Sequence, residues 1–495
     1  MADDRGGVVF TSEQSPSAVS RAASRGQLVR LAQGVYTGLV HLPPEQVVAR
    51  HLWQIVAHEM PGAVIVDRSA KAVGPVDGTL IVDYAARTRP LVLPGVTVRP
   101  RRGPGPVEGD MPFLEGLYLA GTARQLLDNL DRSRGSAART LSDAEVEDWI
   151  DDLLAERGGD YINRLRDHAR TLTKTLARSD AMRRLDALVR AALSTGDAPA
   201  VSSPRLSARL SGYPFDPHRV GAFEQLAAYL SAQPPDVLAA LPSDEPRRRL
   251  LPFYEAYFSN FIEGTEFTLD EAAGIVFAAD LPPGRPEDAH DILGTFEVVD
   301  DDDEMRRTPG TAAEFEQLLC ARHARVMGGR PETLPGHYKQ RPNRAGSTEF
   351  VAPDLVAGTL RRGFDVGRDL RAPFAQAVYI MFLTSEVHPF ADGNGRVARI
   401  MMNAELVAAG EVRILVPTVY RSNYLAALKA ATHTANYQAL EATLRFARRY
   451  TAQVDFTSRE TAEADFARTN ALRDAGEAED VGVRLVLPSS ISRVP

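Results

Sequence analysis

A single cysteine, Cys320, stands in the whole chain, so neither an intrachain disulfide nor a cysteine-built metal centre is available to it. No stretch approaches the roughly 20 apolar residues that span a bilayer, so no membrane partner is expected. Met1 to Gly7 is acidic and polar, and no apolar run with a cleavage site comes after it. A secretory signal is therefore not expected, and the expected compartment is the cytoplasm. Positive charge is in deficit. The net charge of −8 speaks against wholesale coating of nucleic acid, while a local basic patch is compatible with it. Internal repeats and long low-complexity tracts are absent. What remains is ordinary globular composition, 44% hydrophobic and 25% charged, over 495 residues. That length exceeds what one hydrophobic core serves and predicts two or three domains.

The chain separates into regions. Up to about Gly196, β-like runs (Ala63 to Val66, Thr79 to Asp83, Leu91 to Val98) alternate with helical patterns at Gly121 to Leu130 and, with breaks, Asp143 to Leu193. Residues 197–218 are rich in Ser, Pro and Gly and read as a linker. From 219 to 495 most of the sequence reads as helix, in the pieces Arg219 to Ala232, Leu251 to Ile262, Ala312 to Met327, Phe374 to Glu386, Arg396 to Ala409 and Ser422 to Thr451. In this half only Tyr338 to Val351 looks like a hairpin. The acidic run Asp300 to Glu304 reads as a solvated loop. The fold class is multi-domain: an α+β N-terminal region, then an all-α core with one β-hairpin.

The most informative segment is His388-Pro389-Phe390-Ala391-Asp392-Gly393-Asn394-Gly395-Arg396-Val397-Ala398-Arg399. Pro389 stops the apolar helix that leads into it. Gly393-Asn394-Gly395 can take positive φ and turn successive N–H groups into an anion-binding nest. A helix starting near Arg396 adds free N–H donors at the same place. Arg396 and Arg399, one turn apart, suit phosphate oxygens. Asp392 is a carboxylate of the kind Mg²⁺ takes beside phosphates. His388 can accept a proton from an attacking hydroxyl. Together these suit attack of a hydroxyl on a nucleotide phosphorus.

The segment resembles the signature of the Fic family, His-Pro-Phe-x-Asp/Glu-Gly-Asn-Gly-Arg-x-x-Arg, at every defined position. The resemblance implies packed helices and transfer of AMP from ATP to a protein hydroxyl. It makes His388 the base, Asp392 the Mg²⁺ ligand, Gly393, Asn394 and Gly395 the anion hole, and Arg396 and Arg399 the clamps on the outer phosphates. Phe390 becomes an anchor. The pattern extends from about Arg247 onward and places a β-hairpin flap, which aligns a target backbone, at Arg341 to Asp354. Upstream, Ser259-Asn260-Phe261-Ile262-Glu263-Gly264 resembles the family's inhibitory motif, Ser/Thr-x-x-x-Glu-Gly/Asn. This implies that Glu263 pairs with Arg399 and displaces ATP from its reactive pose. Ser259 and Gly264 complete the motif, on a helix around residues 251–264. A helix capped by Gly264 is the bland alternative.

At the other end, a helical run from Pro16 to Ala23 leads to Gly26 and the alternating apolar residues around Gly34, which read as a short hairpin. Residues 1–40 look like the end of a winged helix, and residues 41–196 resemble the α+β domain of AbiEi-type antitoxins, including Leu117 to Asp128. The resemblance implies DNA contacts from Arg21, Arg25 and Arg30, with Ser15, Ser17 or Ser20 near bases. A winged protein-interaction or dimerisation module is the alternative. His323, His337 and His433 lack metal-ligand spacing and read as ordinary histidines. Tyr254 and Tyr257 read as core, although they are also candidate self-modification acceptors. Arg101 and Arg102 read as solvated turn residues. The leading expectation is an autoinhibited AMP-transferring enzyme with ATP as substrate, Mg²⁺ as cofactor and a protein target, of toxin–antitoxin type. The rivals are a DNA-binding transcriptional regulator that senses nucleotide, a Fic enzyme acting mainly in AMP removal, and transfer of another phosphate group. A homo-oligomer is compatible with all of them.

Overall fold

The computed structural model describes residues 7–131, 139–193 and 199–490. The chain forms two compact units, Met1–Ser211 and Gly212–Pro495. The first begins with β1 (Val8–Phe10), α1 (Pro16–Ser24), β2 (Val29–Ala32) and β3 (Val35–Thr37). The strands form an antiparallel sheet in the order β1-β3-β2, with Gly34 at positive φ in the β2–β3 turn. Next come α2 (Pro44–Glu59), β4 (Val64–Ile65), α3 (Asp67–Ala72), β5 (Thr79–Asp83), β6 (Leu91–Leu93), β7 (Val96–Arg101), β8 (Met111–Pro112) and β9 (Tyr118–Leu119). Strands β4 to β9 make one mixed sheet in the order β6-β7-β5-β4-β9-β8. The run Leu91 to Val98 is thus a hairpin with Gly95 at positive φ, not one strand. The sixteen-residue α2 has no counterpart among the elements expected from the sequence; its Val47, Val48, Leu52 and Ile55 form the buried stripe of an amphipathic helix.

Residues expected to form a separate winged domain share a core with α2 and the mixed sheet. Val8, Phe10, Leu31 and Val35 pack in one apolar cluster with Val47, Leu80 and Leu119, so no boundary falls at residue 40. A second core holds α4 (Thr122–Leu130), α5 (Asp143–Leu176), α6 (Ser179–Ala192) and α7 (Pro204–Leu210). Gly158, at φ 76, breaks α5. Helix α7 corrects the expected linker: Ser203 caps it and Leu206 is fully buried, while Gly196 lies outside the described residues. Arg101 is not solvated either. It reaches Asp128 at 2.7 Å and Asp67 at 3.4 Å in a buried ionic cluster, whereas Arg102 is exposed.

The second unit is helical: α8 (Pro217–Ser231), α9 (Glu245–Ile262), α10 (Leu269–Ala278), α11 (Pro286–Val299), α12 (Asp302–Met305), α13 (Ala312–Val326), α14 (Val356–Gly367), α15 (Pro373–Val387), α16 (Asn394–Ala408), α17 (Arg421–Thr434), α18 (Tyr437–Thr451), α19 (Arg459–Arg468) and α20 (Ala475–Asp480). A short hairpin, β10 (Arg344–Ala345) with β11 (Thr348–Glu349), lies between α13 and α14. Ala435, at φ 51, splits the expected Ser422 to Thr451 helix into α17 and α18. The acidic run is no plain loop. Asp301 caps α12, and Glu304 pairs with the fully buried Arg322 at 3.0 Å, because that guanidinium needs a partner away from water. Among the described residues no helix is long and apolar enough to cross a membrane.

Candidate active site

Helix α15 is apolar all round and buried along nearly its whole length, as a central helix must be. It ends at His388, whose backbone turns left-handed (φ 52, ψ 59), and Pro389 comes next. Phe390 is fully buried. The Asn394 side chain closes the loop on itself, accepting from the Phe390 N–H at 2.8 Å and donating to its carbonyl at 2.9 Å. Its amide is therefore occupied, and only its backbone N–H is left for an anion. Gly393, at φ 74, caps α16, and an added Cβ would meet Met327 Sδ at 2.6 Å. Helix α16 starts at Asn394, two residues earlier than expected, which puts the N–H groups of Asn394, Gly395 and Arg396 in a first turn that has no helical carbonyls to bind. These N–H groups and the positive end of the helix dipole make an anion cradle.

His388 Nδ1–H donates to the Ser385 carbonyl at 3.2 Å, since a carbonyl can only accept; this leaves Nε2 with the lone pair. The ring lies flat against Phe350 at 3.7 Å. Burial pushes the imidazole down to about 4, opposed by its bond to the Ser385 carbonyl, aided by Lys339 and opposed more weakly by Glu263 and Asp392, so it is neutral at ordinary pH. Asp392 is exposed on the cradle's rim. Its Oδ1 accepts from the Gly393 N–H at 2.7 Å, and its Oδ2 stands 3.7 Å from Arg396. Among the described residues there is no group of three or more potential metal ligands.

Both arginines are buried and engaged. Arg399 donates to Glu263 Oε1 at 2.7 Å, to Ser259 Oγ at 3.0 Å and to the Ser259 carbonyl at 2.8 Å. Glu263 is the C-cap residue of α9. Gly264, at φ 90, and Thr265 close a Schellman motif, with N–H bonds to the Phe261 and Asn260 carbonyls, and so turn the chain away just after Glu263. A Cβ on Gly395 would fall 2.1 Å from Glu263 Oε1, which places that carboxylate in the cradle itself. Arg396 meets Asp291 of α11 at 2.7 Å and the Asn260 side-chain oxygen at 3.3 Å.

Residues 314–406 match the model of the Fic/DOC family. The chain carries a Fic domain. Over 211 residues it is 27% identical to "Protein adenylyltransferase Fic" of Nematostella vectensis, covering 40% of this chain and 48% of that one. It is 26% identical over 204 residues to "Protein adenylyltransferase fic-1" of Caenorhabditis elegans, covering 39% and 38%. The chain thus spans less than half the length of these curated relatives. Among solved structures, Fic-1 (aa134–508) from C. elegans aligns over 68% of this chain and 98% of its own, at 18% identity and a TM-score of 0.35. IbpAFic2 covalently tethered to Cdc42 aligns over 64% and 99%, at 13% identity and a TM-score of 0.27.

Several residues of the Fic domain site carry no signal in the sequence. His323, which reads as ordinary, stacks on Phe390 at 3.7 Å. Its Nδ1 accepts from the Gly336 N–H at 2.9 Å, so Nε2–H donates to the Asp392 carbonyl at 3.0 Å and steadies the loop. Burial pushes this imidazole down to about 4 as well. Lys339, buried and held down to about 8, donates to Asn343 at 2.6 Å, and Asn343 donates in turn to the Phe390 carbonyl. Asp291 has no motif to flag it; Asn260 lies inside the inhibitory motif but at an undefined position. The hairpin β10–β11 is shorter than expected, and His433 bonds Thr348 on it at 2.8 Å. His337 is exposed. Tyr254 and Tyr257 are buried core, and burial raises both hydroxyls, Tyr257 to about 12. In the other unit, Arg21 on α1, Arg25 at the C-cap of that helix and Arg30 on β2 are exposed. Arg21 donates to the Ser17 carbonyl and Arg30 to that of Ala32.

Proposed function

We propose that this chain is a protein adenylyltransferase held in check by its own Glu263. The observation that carries the reading is one turn-helix unit that sets a neutral imidazole, with Nε2 free, beside an anion cradle flanked by two buried guanidiniums. ATP is the substrate, and a hydroxyl of a target protein is the acceptor. His388 Nε2 takes the hydroxyl proton, the hydroxyl oxygen bonds to the α-phosphorus, and the bond to the β-phosphate oxygen breaks to release pyrophosphate. The cradle N–H groups hold the α- and β-phosphates, and Arg396 and Arg399 grip the outer oxygens. The donor set fits Mg²⁺: Asp392 is an exposed carboxylate (side chain 56% exposed) on the rim, and that ion binds through one or two carboxylates, phosphates and water. Bound there, it would neutralise phosphate charge. The β10–β11 edge offers backbone groups to an extended target segment, the flap role.

The restraint comes from position. Glu263 neutralises the guanidinium that an outer phosphate needs, and its carboxylate fills the space over Gly395. The homologues named protein adenylyltransferase support the activity. The test is incubation of the Glu263→Gly chain with ATP labelled at the α-phosphate, alone and with lysate, and then mass spectrometry. Label on protein from the α-phosphate supports AMP transfer. Label that moves only from the γ-phosphate, or none at all, overturns it.

A further inference from the structure

Arg396 ends a chain of alternating charges that no motif announces. Arg285 bonds Asp288 at 3.0 Å; Asp288 meets Arg330 at 2.7 Å; Arg330 grips Asp291 with Nε and NH2, at 2.9 to 3.1 Å; and Asp291 meets Arg396 at 2.7 Å. Asp291 thus stands between two guanidiniums, and its single negative charge is shared by Arg330 and Arg396. Glu287, at 3.7 Å from Arg330, and Asp392, at 3.7 Å from Arg396, are mostly exposed and contribute little. Asp291 and Arg396 are both nearly fully buried, at 1% and 3% side-chain exposure, so their mutual neutralisation would be strong if Asp291 had no second partner. Arg330 is that partner.

The contrast with the other clamp is direct. Among the described residues, Arg399 is the one guanidinium within ion-pair distance of Glu263. That carboxylate spends its whole charge on Arg399. Asp291 divides its charge between Arg330 and Arg396, so it can orient Arg396 without silencing it. The Arg396 Nε–H is buried with no hydrogen-bond partner, so Asp291 and Asn260 engage only part of that guanidinium's donor set.

We propose that Arg330 is a positioning residue for nucleotide binding: by sharing Asp291 it keeps Arg396 fixed yet electrostatically free to hold an outer phosphate of ATP. This rests on the adenylyltransferase reading, since it needs a triphosphate in the cradle. Remove Arg330, and Asp291 turns from a support into a second inhibitory carboxylate. Because the effect acts through charge on the outer phosphates, AMP, which lacks them, is indifferent to it.

The experiment is calorimetric titration of the full chain, in the Glu263→Gly background, with a non-hydrolysable ATP analogue and with AMP. Arg330→Gln is expected to weaken the analogue about tenfold and AMP less than about twofold. Adding Asp291→Asn to Arg330→Gln, which removes the newly unshared charge but keeps an oxygen for Arg396, is expected to recover most of that loss. Equal weakening of both ligands, or no recovery in the double variant, would make Arg330 a scaffold only and overturn the proposal. Should Arg330→Gln not fold, Asp291→Asn alone decides: affinity for the analogue kept or raised supports the charge argument, and a tenfold fall refutes it. If the Glu263→Gly parent binds neither ligand, the adenylyltransferase reading itself fails, and this proposal with it.

Discussion

Glu263 Oε1 lies 2.7 Å from the Arg399 guanidinium and also where a side chain on Gly395 would begin. One carboxylate therefore both engages the Arg399 guanidinium and fills the space over Gly395 at the start of α16. A charge-assisted hydrogen bond of this kind contributes about 1.5–3 kcal/mol. Glu263→Gly is expected to raise self-labelling by α-labelled ATP by roughly 10- to 100-fold. Equal labelling of the two proteins would end the autoinhibition hypothesis.

His388→Ala should abolish that gain. General-base assistance is worth about 10²–10⁴ in rate, and Nε2 of this ring is the proposed base. In the Glu263→Gly background, labelling should fall to background while the ATP analogue still binds. Retained labelling would move the base elsewhere. Because burial holds His388 near 4, its protonation should leave turnover flat between about pH 6 and 8. A rise through the usual histidine range would contradict that.

Two buried imidazoles should make stability depend on pH. His323 and His388 are both held down to about 4, whereas an unfolded chain titrates them near 6.5. Between those values the unfolded state binds more protons, so the stability these two groups contribute is complete above about 6.5 and is lost as pH falls towards 4. The slope is at most about 1.4 kcal/mol per pH unit for each. Urea unfolding at pH 7 and pH 5 measures it, and His323→Gln should flatten the dependence by about half. An unchanged slope in that variant would assign the effect to other groups.

In the first unit, Arg124 is fully buried and bonds Asp110 at 2.6 Å, the Gly105 carbonyl at 2.9 Å and also Asp83. Arg124→Ala would leave buried carboxylates without their partner and should cost about 3–5 kcal/mol. Thermal unfolding monitored by circular dichroism tests this. A shift of less than a degree would mean that the cluster tolerates the loss by taking up water or protons.

The turn and helix start of the candidate loop were legible because they are local. His388, Asp392, the glycines, Arg396 and Arg399 sit within twelve consecutive positions, where proline, glycine and helix geometry by themselves dictate a turn and a helix start. The Glu263-Gly264 ending was legible for a like reason, since a Schellman motif is written in neighbouring residues. The partners of those groups were not. Asp291, Arg330 and His323 reach the site from other elements, and nothing in their own neighbourhoods distinguishes them from core or surface residues. The same held in the first unit, where Arg101 reads as a solvated turn residue until the fold sets it against Asp128. Sequence by itself determines what depends on backbone dihedrals and adjacent side chains. Which charges share a buried space depends on helix packing, and there a few ångströms decide whether a carboxylate silences an arginine or only steadies it.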